Sequence, residues 1–173
     1  LYAKGRDWDR AVKHLDRAVE LDGNFLEARL GLAVALELAG RLEESKQQFL
    51  AAVNQEPVNT QLIHYLAQIS YRLGDLEESA RWLTRYLSFK PFEPAAQMEL
   101  ATVRIEQGRW QEAADLLQRV MDPESPPEGR AELWTALGMA YQIGRKYEAA
   151  EEAFQHAIGL AAEDLRPTLQ LGG

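Results

Sequence analysis

Apolar residues return at spacings of three and four through most of the chain, the signature of helices with one buried face. Over residues 7–21, Trp8, Ala11, Val12, Leu15, Ala18 and Val19 share such a face. Residues 1–5 read as the end of an earlier helix, with Gly5 as its stop. Asn24 is placed to cap the next helix, and Glu27 completes a capping box. That helix runs to residue 39 and carries Leu26, Leu30, Leu32, Val34, Leu36 and Leu38, a density expected of a helix contacted on two sides. Gly40 ends it. Residues 42–55 follow, with Leu42, Ser45, Phe49, Ala52 and Val53 facing inward and Pro57 as the stop. The next helix, 60–73, carries Leu62, Ile63, Leu66, Ala67 and Ile69 and ends at Gly74. Asp75 and Glu78 offer a second capping box. Leu76, Ala80, Leu83 and Leu87 line the helix that Pro91 terminates. Helices over 94–107, 110–121, 130–143 and 147–161 complete the prediction, with a loop at 122–129 (DPESPPEG) and a turn at Gly144 and Arg145. No stretch alternates with period two, so no strands are expected.

The pattern also repeats at long range. Residues 40–59, GRLEESKQQFLAAVNQEPVN, are echoed 34 residues later by GDLEESARWLTRYLSFKPF. A large residue opens the second helix of each pair at Trp8, Leu42, Leu76, Trp110 and Tyr147, separated by 34, 34, 34 and 37 residues. A small residue follows at Ala11, Ser45, Ser79, Ala113 and Ala150, and a bulky one at Leu15, Phe49, Leu83, Leu117 and Phe154. In the first helix of each pair, a small residue at Ala33, Ala67, Ala101 and Gly138 is preceded by Leu32, Leu66, Leu100 and Leu137. Antiparallel helices approach closely only where small side chains meet. One pair cannot bury its apolar face alone, so pairs must stack.

These positions resemble the tetratricopeptide repeat (TPR) family. On that resemblance residues 1–173 form a single array. A partial repeat lies at about 1–25, and full repeats lie at 26–59, 60–93, 94–130 and 131–164. Residues 165–173 are a tail or the start of a further repeat, with Leu171 and Gly172 on the leucine–small pair. Both ends then look like cuts through a longer protein. Tyr86 and Val120 stand where the family prefers a small residue, which predicts a wider helix gap there. Trp8 and Trp110 are expected in the core.

The resemblance implies an all-α, right-handed superhelical solenoid of antiparallel helix pairs, with a concave groove built from the first helices. Its groove positions fall on Leu30, Val34, His64, Gln68, Tyr71, Met98, Thr102, Ile105, Thr135, Met139 and Gln142. The set is mixed and nearly uncharged. The carboxylate clamp of some family members is not visible, because Leu30, Val34, Gln61, Tyr65 and Glu99 replace its basic residues and Arg72 is the nearest cation. The expected function is therefore a protein-interaction scaffold that holds a neutral peptide or an amphipathic helix. Two alternatives are a regulatory or substrate-presenting TPR region attached to an enzyme such as a glycosyltransferase or peptidase, and a self-association module.

Composition narrows the rest. With 19 Lys and Arg against 27 Asp and Glu, the formal net charge is −8. No basic cluster suited to nucleic acid is present. The absence of cysteine removes disulfides, thiol nucleophiles and thiolate metal sites. His14, His64 and His156 lack metal-ligand spacing, and no catalytic or cofactor motif stands out. No enzymatic activity, cofactor or metal is expected of this segment. No apolar run approaches membrane-spanning length. The chain reads as a soluble segment, with cytoplasm and periplasm both open.

Overall fold

The computed structural model describes residues 2–121 and 130–164, and every regular element among them is a helix. The expectations for the loop at 122–129 and for residues 165–173 lie outside the described residues.

Two compact units divide the chain, Leu1–Phe89 and Lys90–Gly173. The first holds α1 (Tyr2–Leu21), α2 (Leu26–Leu38), α3 (Leu42–Gln55), α4 (Thr60–Arg72) and α5 (Leu76–Phe89). The second holds α6 (Pro94–Glu106), α7 (Trp110–Val120), α8 (Arg130–Ile143) and α9 (Tyr147–Asp164). Within each unit every helix packs on the next in sequence, and in the second unit α6 also contacts α8. This is an all-α solenoid of antiparallel helix pairs.

One helix ending recurs in both units. Gly40 donates to the Glu37 carbonyl at 2.9 Å, and Arg41 donates to the Leu36 carbonyl at 2.8 Å. The same two bonds close α4 through Gly74 and Asp75, α6 through Gly108 and Arg109, and α8 through Arg145 and Lys146. This Schellman arrangement needs one left-handed residue. Gly40, Gly74 and Gly108 supply it with φ of +80°, +80° and +74°, and Arg145 supplies it with φ of +57°. That slot lies two residues before the opening large residue, which for α1 is Arg6 and not Gly5. The expected stop at Gly5 is therefore corrected: α1 runs through it, since a helical glycine costs only about 1 kcal/mol.

Capping differs from expectation at two places. Phe25, not Asn24, is the N-cap of α2, and no side chain caps it. The Asn24 amide instead donates to the Asp22 carboxylate at 2.9 Å, a local turn that competes with capping. At α5 the Asp75 carboxylate accepts from the Glu78 amide at 3.0 Å, but the Glu78 side chain turns away to pair with Lys46 of α3. Asn59 caps α4, its side-chain oxygen accepting from the Gln61 and Leu62 amides.

The core follows the repeat. Ala33, Phe49, Ala52, Val53, Leu62, Leu66 and Ile69 form one buried cluster in the first unit, with Trp82 and Leu50 packed against it. Val12, Leu32, Ala35 and Leu36 form another between α1 and α2. In the second unit Ala101, Ala113, Leu117, Leu137, Ala140 and Ala153 belong to a single cluster. Trp8 and Trp110 are only half-buried, which corrects their expected core placement. Trp110 nonetheless sets a local limit, because a Cβ on Gly144 would come within 2.4 Å of its indole. Tyr86 is buried despite its size, with its ring centroid 4.8 Å from that of His64.

Candidate functional site

The first helix of each pair buries one side and leaves another open. On α4 the buried residues are Leu62, Ile63, Leu66, Ala67, Ile69 and Ser70. The periodicity that buries them turns Gln61, Tyr65, Gln68, Tyr71 and Arg72 outward. On α2, Val34 is 44% and Leu38 52% exposed, while Ala28, Leu32, Ala33, Ala35 and Leu36 are buried. An ion pair between Glu37 and Arg72 bridges α2 and α4. Arg72 is thus already committed to a carboxylate within the chain, which removes the nearest candidate for a carboxylate clamp.

The expected groove residues of the first unit divide into three kinds. Val34, Gln68 and Tyr71 are exposed. Leu30 is half-buried against the core cluster. His64 is half-buried, its ring against Tyr86. Tyr65 and Leu38 also contribute open apolar surface and were not among the expected groove residues. Tyr65 stacks on buried Phe49 of α3 with centroids 5.4 Å apart, so its ring is held in place. The signal for it was present in the sequence, since 61, 65, 68 and 72 continue the exposed stripe of α4.

In the second unit Thr135, Met139 and Gln142 are exposed on α8. Met98 is half-buried and packs on the core. The Thr102 hydroxyl donates to the Met98 carbonyl at 3.0 Å, and the Thr135 hydroxyl donates to the Ala131 carbonyl at 2.8 Å. Both hydroxyls spend their proton on the helix and leave an oxygen lone pair as acceptor. Ile105 is corrected from a contact residue to a core residue: it is 9% exposed inside the unit's buried cluster. Its position on α6 turns it toward α7 and α8 rather than outward.

Among the described residues no group of three or more His, Asp or Glu could hold a metal, and no helix is long and apolar enough to cross a membrane. His156, on α9, stacks on Trp134 with centroids 4.4 Å apart, away from any acidic cluster with ligand geometry. What the open faces offer is apolar area, amides and hydroxyl oxygens, which is binding chemistry.

Tetratricopeptide repeat models match residues 2–69, 66–127 and 131–164. The chain belongs to the tetratricopeptide repeat family. Rat DnaJ homolog subfamily C member 3 is 28% identical over 137 residues, which cover 79% of this chain and 27% of that protein. The chain therefore spans about a quarter of the length of that curated relative. Among solved structures, MamA superimposes with a TM-score of 0.79 at 16% identity, covering 92% of this chain and 86% of that one. YrrB, a TPR protein with an unusual peptide-binding site, superimposes with a TM-score of 0.76 at 21% identity, covering 90% of this chain and 78% of that one. Both likenesses are at the level of fold.

Proposed function

We propose that, within each unit, this TPR array binds a neutral peptide or the apolar face of an amphipathic helix along the exposed sides of its first helices. The observation that carries the reading is on α2 and α4. Val34 and Leu38 on α2 and Tyr65 and Tyr71 on α4 are exposed, while the cation of the exposed α4 stripe, Arg72, is paired with Glu37 of α2. Open apolar side chains on a rigid frame supply binding area at low ordering cost. The lack of an available cation there disfavours a ligand held by its carboxylate. YrrB, a TPR protein with a peptide-binding site, shares the fold.

The test is affinity capture with this chain, followed by titration of the captured partner against three variants. Tyr71→Ala and Tyr65→Ala in the first unit, and Met139→Ala in the second, should each weaken binding by about tenfold where they are central contacts. Met139→Ala should melt with the parent, because it lies in no core cluster, and melts of Tyr65→Ala, which loses its stack on Phe49, and of Tyr71→Ala give the folded fraction against which their affinities are read. Unchanged affinity in all three rejects these helix faces as the site.

A further inference from the structure

We propose a second binding site on the opposite kind of helix: the α5 face of Arg81, Trp82 and Arg85, with an acidic peptide segment carrying an aromatic or apolar side chain as its ligand. Glu78, Arg81, Trp82 and Arg85 line one hollow of the surface. Their spacing of three, four and seven puts them on one side of α5. The carboxylate in the set is already engaged, because Glu78 pairs with Lys46 of α3 in a largely buried contact. That pairing leaves the two arginines as the uncompensated charges of the face.

Each remaining side chain has a distinct part. Trp82 is half-buried against the core cluster of the first unit, so its ring is a fixed apolar wall. The Arg85 guanidinium lies over that ring with its central carbon 5.4 Å from the centroid. One Arg85 Nη also donates to the Pro57 carbonyl at 2.6 Å. Two anchors therefore orient the group before any ligand arrives, and a preorganised guanidinium loses less freedom on binding. Arg81 is exposed and makes no ion pair among the described residues.

Charge complementarity selects the occupant. Planar guanidinium forks bind carboxylates in bidentate fashion, and the neighbouring indole accepts an aromatic or aliphatic side chain. Nucleic acid is disfavoured, because two cations neutralise few phosphates while the rest of the chain, at net −8, repels the polyanion. A second copy carries the same net charge and meets the same repulsion. A short acidic segment of a partner meets only the local positive field.

The experiment is fluorescence anisotropy of the whole chain with a fluorescein-labelled peptide of alternating glutamate and phenylalanine. A glutamine–phenylalanine peptide serves as the comparison. The glutamate peptide should bind and the glutamine peptide should not, with affinity falling as salt rises. Arg81→Glu, at an exposed position, should weaken binding by about tenfold, and Arg85→Gln should do likewise. Tyr71→Ala should leave binding unchanged, which separates this site from the helix-face site above. Equal binding of the two peptides, no binding to the folded chain, or full affinity in Arg81→Glu overturns the proposal. So does tighter binding of a single-stranded oligonucleotide, or concentration-dependent dimerisation that Arg81→Glu abolishes.

Discussion

Arg145 occupies the one backbone slot that other repeats give to glycine. Its φ of +57° places a side chain in the left-handed region, which costs about 1–2 kcal/mol relative to a relaxed residue. Arg145→Gly should therefore raise stability by about 1 kcal/mol, and Gly74→Ala, at φ +80°, should lower it by a similar amount. Urea denaturation reads both, and a destabilised Arg145→Gly would mean that the arginine side chain contributes more than its backbone costs. A second pair of equivalent residues differs in hydrogen bonding. Ser45 Oγ donates to the Ala33 carbonyl at 2.7 Å, whereas Ser79 Oγ, one repeat later and also buried, has no partner among the described residues. Ser45→Ala should cost about 1 kcal/mol, while Ser79→Ala should be neutral or stabilising, because removing an unsatisfied buried hydroxyl removes a desolvation cost. Equal losses in the two would reject the assignment. At the surface, the Arg41 guanidinium grips Glu44 through two bonds of 2.6 Å and holds its carboxyl below the usual carboxylate range. The stabilisation is thus present above the ordinary carboxylate pKa and is lost as pH falls through the lowered one.

Between elements, the distance of closest approach is set by the small–bulky pair of each repeat. Ala33 and Phe49 share a buried cluster in the first unit, as do Ala101 and Leu117 in the second. The last pair is tighter. A Cβ on Gly138 would meet the Phe154 ring at 2.6 Å. Gly138→Ala should therefore destabilise by about 1–3 kcal/mol through overpacking. Adding Phe154→Leu, the residue type already present at Leu83 and Leu117, should recover part of that loss, as thermal melts of the single and double variants can show. No recovery would place the strain elsewhere. The same element scale explains what was legible in the sequence. The bounds of α3 and α8 and the periodic burial of α4 follow from propensity and pattern, because the helices are regular and the repeat supplies many concordant copies. At Gly5, Asn24 and the tryptophans residue type alone is no guide, because the slot in the repeat decides the outcome. A glycine stops a helix only where the left-handed residue falls, and a cap forms only if no nearer turn competes. Helix-face residues were harder still. The family pattern constrains the buried sides, so it marks Val34 and Tyr71 only by default. It had no means of showing that Ile105 turns inward or that Tyr65 is held against Phe49.

For the whole chain, net charge and local ion pairs pull stability in opposite directions. Excess negative charge, −8 in total, favours expansion through self-repulsion. Against it stand specific pairs, among them Lys46–Glu78, Arg72–Glu37 and Arg104–Glu112. Salt screens both, but not equally. Exposed charges separated by more than the Debye length of about 10 Å at 0.1 M are screened first, while the largely buried Lys46–Glu78 contact is shielded from counterions. The balance therefore favours a rise in Tm as salt is added from low ionic strength. A gain of about 1 kcal/mol would appear as about 2–4 °C for a chain of this size. A fall in Tm would show that the exposed pairs outweigh the repulsion. This sign also makes the two binding sites separable in one titration. Salt should strengthen the scaffold, leave an apolar ligand on α2 and α4 nearly unaffected, and weaken an acidic peptide at Arg81 and Arg85. If both ligands weakened together, the loss would have to come from the scaffold itself, and the melts recorded at the same salt concentrations would show whether it had.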